Sequence, residues 1–219
     1  MIRGAVFDMD GTLLDSMEIW IDVGARYLAA QHIKAEENLG DILFPMSLEQ
    51  GAVYLKTHYH LPESTEMIRG GILSIIRDFY VSEVRLKRGA AAFLRELSKK
   101  GILLAAATSS DRDLIEAACR RLGILSYFRQ ILTCSEIGEG KDSPRIYLEA
   151  ASSLHAVPGE IFVFEDALHA LVTAKQAGFC TAAVYDASSA GNQQAIRETA
   201  DIYLQDLTDF SQFWEAVRM

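Results

Sequence analysis

Short apolar runs, each stopping on a polar and chemically capable residue, organise this chain. Gly4–Phe7 stops at Asp8, residues 101–107 (GILLAAA) stop at Thr108, and residues 161–164 (IFVF) stop at Glu165-Asp166. An apolar run of this length, bounded by a turn signal, reads as a buried strand. Cys180–Val184 is a further run, and residues 129–133 and 201–204 carry fainter versions of the pattern. Between the runs the apolar spacing is helical. Ala90–Lys99 puts Phe93, Leu94 and Leu97 on one face. Residues 111–122 follow Ser109-Ser110, a good capping region, and end at Gly123. Pro144 suits the first turn of a helix over 145–154, and a helix over 167–177 ends at Gly178. Strands alternating with helices predict an α/β fold: a Rossmann-like parallel sheet flanked by helices and buried on both faces.

From Ser16 to Val84 the alternation stops and no strand pattern is present. Trp20, Val23, Tyr27 and Leu28 form one apolar stripe, Leu48, Ala52 and Leu55 start another, and Ile68, Ile72, Ile75, Ile76 and Phe79 form a third. An all-helical block between the first and second strands of a parallel sheet reads as an inserted domain. The predicted division is residues 1–15 with 85–219 as the core and 16–84 as the insert.

In an open parallel sheet, ligands bind beyond the carboxyl ends of the strands. Three strand ends here carry Asp8-x-Asp10, Thr108-Ser109 and Glu165-Asp166, which should converge on one crevice. Asp10-Gly11 alone could be a tight turn or a helix cap. Thr108 could equally be a cap, and Glu165-Asp166 could be an acidic first helical turn. A turn does not explain Asp8, which ends an apolar strand with a second acid two residues on. Two such close carboxylates resist joint ionisation unless a cation joins them or one keeps a proton. An ionised Asp8 beside Mg²⁺ can act as a nucleophile, and a protonated Asp10 as a general acid.

The motif FDMDGTLLDS resembles the first motif of the haloacid dehalogenase superfamily. The second motif matches Thr108 in LLAAATSS, the third Lys141 in GEGKDSPRIYLEAA, and the fourth Glu165 and Asp166 in FVFEDALHALVTAKQAGF. Order and spacing agree over nearly the whole chain, and the helical block lies where that family carries a helical cap. Within the superfamily the chain is most similar to the phosphoglycolate phosphatase and β-phosphoglucomutase group.

The resemblance implies a magnesium-dependent phosphatase acting on a small phosphorylated metabolite. Asp8 would be the nucleophile that becomes phosphorylated, and Asp10 the acid and then the base. Thr108, with the backbone N–H of Ser109, would hold phosphate, and Lys141 would neutralise phosphate and nucleophile together. Asp8, the backbone carbonyl of Asp10 and Asp166 would bind Mg²⁺, with Glu165 binding directly or through water. Specificity would come from the insert, from Trp20 and from the segment holding Phe44 and Met46. Two departures stand out: Ala167 and Ala170 replace a usual serine and glycine, and Asp142 replaces the proline that usually follows the motif lysine.

Alternatives differ in specific residues. A dehalogenase has no use for Asp10. A β-phosphoglucomutase carries a basic cap motif and a histidine in the first cap helix, where this chain has residues 45–50 (PMSLEQ) and Trp20. A non-catalytic phospho-receiver has no reason for an insert of about seventy residues, a size within the ordinary domain range.

Charge changes the picture in one respect. Thirty acidic against 21 basic residues give a formal net charge of −9, which argues against nucleic acid or anionic membrane as partner. A monomer or weak homodimer is expected. Cys119, Cys134 and Cys180 show no metal spacing and read as free thiols in a reducing compartment. With no signal-peptide pattern and no apolar run of membrane-spanning length, the expected location is cytoplasmic. His58 and His60 read as surface residues.

Overall fold

The structure is a computed structural model that describes residues 2–218. Its strands are β1 (Gly4–Phe7), β2 (Leu14–Asp15), β3 (Arg85–Leu86), β4 (Leu103–Thr108), β5 (Phe128–Thr133), β6 (Ile161–Glu165), β7 (Cys180–Val184) and β8 (Ile202–Leu204). Six of them form one parallel sheet in the order β5-β4-β1-β6-β7-β8. This is the Rossmann-like sheet that the alternation of runs predicts. β2 and β3 pair antiparallel as a separate two-stranded ribbon. Among the described residues, no helix is long and apolar enough to cross a membrane.

Side chains alternate across a strand, and both faces of the sheet are covered. On one face Val6, Ala105, Ile161 and Val163 pack against Ile146, Tyr147, Ala150 and Leu154 of the helix Arg145–Ser153. On the other, Phe7 stacks on Phe164 with centroids 4.2 Å apart, and Phe93 and Phe213 meet Phe164 at 5.6 and 5.3 Å. Truncating one such buried ring to alanine typically costs about 3–5 kcal/mol. The middle of the sheet is thus a stiff base for the loops at its carboxyl edge.

The chain divides into two compact units, Met1–Asp15 with Arg85–Met219, and Ser16–Val84. The second unit is helical, with helices Met17–Ala30, Leu39–Leu43, Leu48–His58 and Thr65–Asp78. Ser47 and Gln50 form a capping box at the third helix, and Ser64 caps the fourth. Its core holds Val23, Tyr27, Leu28, Ala52, Leu55, Ile68, Ile72 and Ile76. Ile19 is fully buried in the first stripe, whereas Trp20 is only half-buried.

Two boundaries differ from expectation for physical reasons. The run at 101–107 begins as strand only at Leu103. Gly101 takes a left-handed φ of +75°, and the Ile102 N–H bonds to Leu97 O, so these two residues close the preceding helix. The helix after β4 starts at Arg112 with Asp111 at its cap position. Ser110 is used elsewhere: its N–H goes to Thr108 Oγ1 and its hydroxyl to Asp10.

Candidate active site

Neighbouring strand ends bring the acids together. β1 lies between β4 and β6, with Phe7 level with Ala106 on one side and Phe164 on the other. The Asp8 N–H donates to Phe164 O at 2.9 Å, which carries the chain one step beyond the strand and sets Asp8 beside Glu165. The tight turn after it is held by bonds from Leu13 N and Leu14 N to Met9 O and from Gly11 N to Leu14 O.

Asp8, Glu165 and Asp166 are all buried, and one carboxylate oxygen from each lies within 4.8 Å of the others. Lys141 is buried with them. Its Nζ donates to Asp8 Oδ1 and, at 2.6 Å, to Glu165 Oε1. Lysine is rarely buried unless paired, and removing one partner of a buried ion pair costs about 3–5 kcal/mol. Lys141 is therefore built into the cluster and is not a solvated surface lysine.

The electrostatics favour a cation. Burial pushes the Asp8 carboxyl well above its usual range; Lys141 opposes this, while Glu165, Asp166 and Asp10 add to it. Asp166 is pushed up to about 7, first by burial and then by the charges of Glu165 and Asp186. Burial opposes the charge on Lys141, but Asp8 and Glu165 outweigh it and raise its pKa.

The residues also fit a small divalent ion by shape. Asp8 Oδ2 is buried without a hydrogen-bond partner. Gly11, at φ +83°, leaves room that a side chain would take, since a Cβ there would stand 2.6 Å from Asp166 Oδ2. An all-oxygen donor set suits a hard cation such as Mg²⁺.

A stability measurement checks this fit. An acid whose folded pKa is raised costs the metal-free fold stability progressively as pH climbs from its unfolded value, about 4, to its folded value, and fully above it. Bound Mg²⁺ offsets that cost, and protons compete with it at Asp166. Millimolar Mg²⁺ should raise the melting temperature more near pH 8 than near pH 6. Equal shifts at both pH values, or none, would contradict a metal at this cluster.

The expected residues are placed as follows. Thr108 is buried at the end of β4, and its Oγ1 accepts from Ser110 N at 3.1 Å. Ser109 is exposed, its hydroxyl 3.5 Å from Cys134 Sγ. The Asp10 side chain is half-buried and outside the acidic trio; its Oδ2 accepts from Ser110 Oγ at 2.6 Å. Trp20, Phe44 and Met46 all belong to the helical unit. Phe44 is 49% exposed, and Met46 lines a groove of about 700 Å³ with Val53, Tyr54 and His58.

Several participants were invisible in the sequence. Ser110 holds Asp10, and the Thr12 and Ser189 hydroxyls reach Asp166 at 3.4 and 3.5 Å. Both hydroxyls come from elsewhere in the chain than Ala167, which follows Asp166 directly. Tyr147 donates its phenol proton to Glu165 Oε1 at 2.7 Å. Its spacing from Lys141 was the only available signal, and it reads equally as helix core.

The arrangement can do one kind of chemistry well. A carboxylate oxygen at a cation site, with a lysine alongside, suits nucleophilic attack on an anionic centre whose charge must be neutralised. The chain is similar to several known proteins. A validoxylamine A 7'-phosphate phosphatase of Streptomyces hygroscopicus subsp. limoneus is 34% identical over 122 residues, 55% of each chain. A phosphorylated carbohydrates phosphatase of Thermotoga maritima is 25% identical over 177 residues, 81% of this chain and 82% of its own. Among solved structures, a Thermotoga maritima protein provisionally described as a β-phosphoglucomutase superposes with a TM-score of 0.88 at 23% identity, covering 99% of this chain and 100% of that one. Residues 5–184 match the haloacid dehalogenase-like hydrolases, and the chain belongs to that family of enzymes.

Proposed function

We propose that this enzyme is a magnesium-dependent phosphatase that hydrolyses a small-molecule phosphate monoester through a phospho-aspartyl intermediate on Asp8. The observation that carries the reading is the Asp8 carboxylate itself. It is buried in one cluster with Glu165 and Asp166, with one oxygen on Lys141 and the other without a hydrogen-bond partner.

In the first step an Asp8 oxygen attacks phosphorus, the bond from phosphorus to the ester oxygen breaks, and Asp10 gives that oxygen its proton. In the second, Asp10 takes a proton from water as the water attacks phosphorus. The bond to Asp8 breaks, releasing inorganic phosphate and the free carboxylate. Thr108 can donate its hydroxyl proton to a phosphate oxygen because its own oxygen already accepts from Ser110. The N–H of Ser109 serves a second phosphate oxygen, and Lys141 offsets the charge of phosphate and nucleophile. Mg²⁺ would be held by Asp8, Asp166 and the backbone carbonyl of Asp10, with Glu165 binding directly or through water, and would supply the positive charge that lets an anionic nucleophile meet an anionic ester.

In this reading the helical unit Ser16–Val84 is the family's cap, with Trp20, Phe44 and Met46 contributing to substrate choice. The names of the relatives favour a phosphorylated carbohydrate or similar polyol. A mutase would need basic residues to hold a second phosphate, and residues 45–50 contain none.

The test is phosphate release from a panel of phosphorylated sugars, polyols and small acids. Release should require Mg²⁺, stop in chelator and not return with Ca²⁺, whose looser coordination misaligns the attacking oxygen. Full activity after verified metal removal would refute the reading.

A further inference from the structure

We propose that Tyr147 is a positioning residue which fixes Glu165 so that Glu165 in turn holds the Lys141 ammonium at Asp8. This rests on the phosphatase reading. Lysine has a flexible stem and three rotatable donors, so the ammonium sits where its acceptors put it. Two of those donors are engaged, one on Asp8 Oδ1 and one on Glu165 Oε1. The third is then directed by the first two and remains for a phosphate oxygen. What fixes Glu165 therefore fixes the lysine.

The terminal torsion of a glutamate is broad and roughly two-fold, so the carboxylate does not orient itself. Tyr147 supplies the constraint. Its single O–H donates to the same Oε1 that Lys141 uses, at 2.7 Å. That oxygen is held by two donors, Lys141 Nζ and the Tyr147 phenol.

Tyr147 is well suited to be a fixed point. It is fully buried, its ring meets the Phe179 ring edge-on at 6.1 Å, and Ile146, Ala150 and Ala151 from its own helix share its cluster. A phenol carries one proton to donate, and that of Tyr147 is directed at Glu165 Oε1. Lys141 and Tyr147 are joined by a short segment in which Pro144, at φ −72°, leads into the helix. Donor and lysine thus ride on one stiff piece of chain.

The experiment uses the magnesium-loaded enzyme and inorganic phosphate as the probe. Tyr147→Phe should weaken phosphate binding, measured by calorimetry, and lower kcat, each about tenfold, the usual scale for a hydrogen bond to a charged group. The Mg²⁺ concentration for half-saturation should change less than the phosphate affinity, because Asp8, Asp166 and the Asp10 carbonyl would hold the metal without Tyr147. Phe179→Leu disturbs the ring's packing but not its hydroxyl; it should lower the melting temperature and leave phosphate affinity unchanged.

Wild-type phosphate affinity in Tyr147→Phe would overturn the proposal. So would a change in Mg²⁺ half-saturation in place of the phosphate effect, or an equal affinity loss in Phe179→Leu. If Tyr147→Phe does not fold, Glu165→Gln carries the test: it must weaken phosphate binding, and unchanged affinity would overturn the proposal. A wild-type enzyme that binds phosphate but turns over no ester would remove the phosphatase reading, while the tyrosine's role would still be decided by phosphate affinity.

Discussion

Asp8→Asn is expected to abolish turnover, by a factor on the order of 10⁴ or more, in a protein that still folds. The amide has nearly the volume of the carboxylate but no anionic oxygen to attack phosphorus. The fold should tolerate it because burial already disfavours the Asp8 charge, and Lys141 keeps Glu165 as a partner. A phosphatase assay beside a thermal melt checks both halves. Activity near wild type would rule out a covalent route through this residue. Acid-quenched enzyme should also retain phosphate in the wild type and none in the variant.

Asp10→Asn tests the other half of the mechanism and should separate its two steps. If Asp10 is the acid of the first step and the base of the second, both suffer. An aryl phosphate has a good leaving group and needs little protonation, so its first step should lose less than that of an alkyl phosphate. Water attack on phospho-Asp8 should remain slow for both. Rapid mixing should show a burst of aryl alcohol followed by slow turnover. General acid–base help is worth about 10²–10⁴-fold, so the contrast should be measurable. An asparagine can still accept from Ser110, which keeps the side chain in place and isolates the proton chemistry. Equal first-step losses for both substrates would assign Asp10 to shaping the turn, and the proton donor would then lie elsewhere.

The parallel sheet was legible because buried strands must be apolar throughout, and because three such runs end on Asp8, Thr108 and Glu165-Asp166. Parallel pairing then fixes where those ends meet. What the sequence hid is local or long-range. β2 and β3 are two residues each and have no periodicity to read. Trp20 looks like the natural member of its stripe, yet Ile19 takes the buried place, since a one-residue rotation about a helix leaves the spacing nearly unchanged. Ser110 looks like a helix cap and is instead Asp10's partner. Tyr147 looks like core, and it is core, but its hydroxyl faces a carboxylate that lies 18 positions further along. Hydrogen bonds of this kind connect residues whose separation in sequence carries no pattern.

The place of β1 in the sheet has a consequence for how the chain acquires its fold. β1 is made before the helical unit, yet it pairs with β4 on one side and β6 on the other. Its first partner follows only after the whole helical unit, and its second after three further α-helices and β5. The helical unit draws its contacts from one continuous stretch, so it can form while β1 is still unpaired. Asp8 is thus brought beside Glu165 and Asp166 only once β6 has been made and pairs with a strand made long before. Until β4 is made, Gly4–Phe7 is an apolar segment with two open edges, and this is the stage at which such a strand is most prone to aggregate or to need a chaperone.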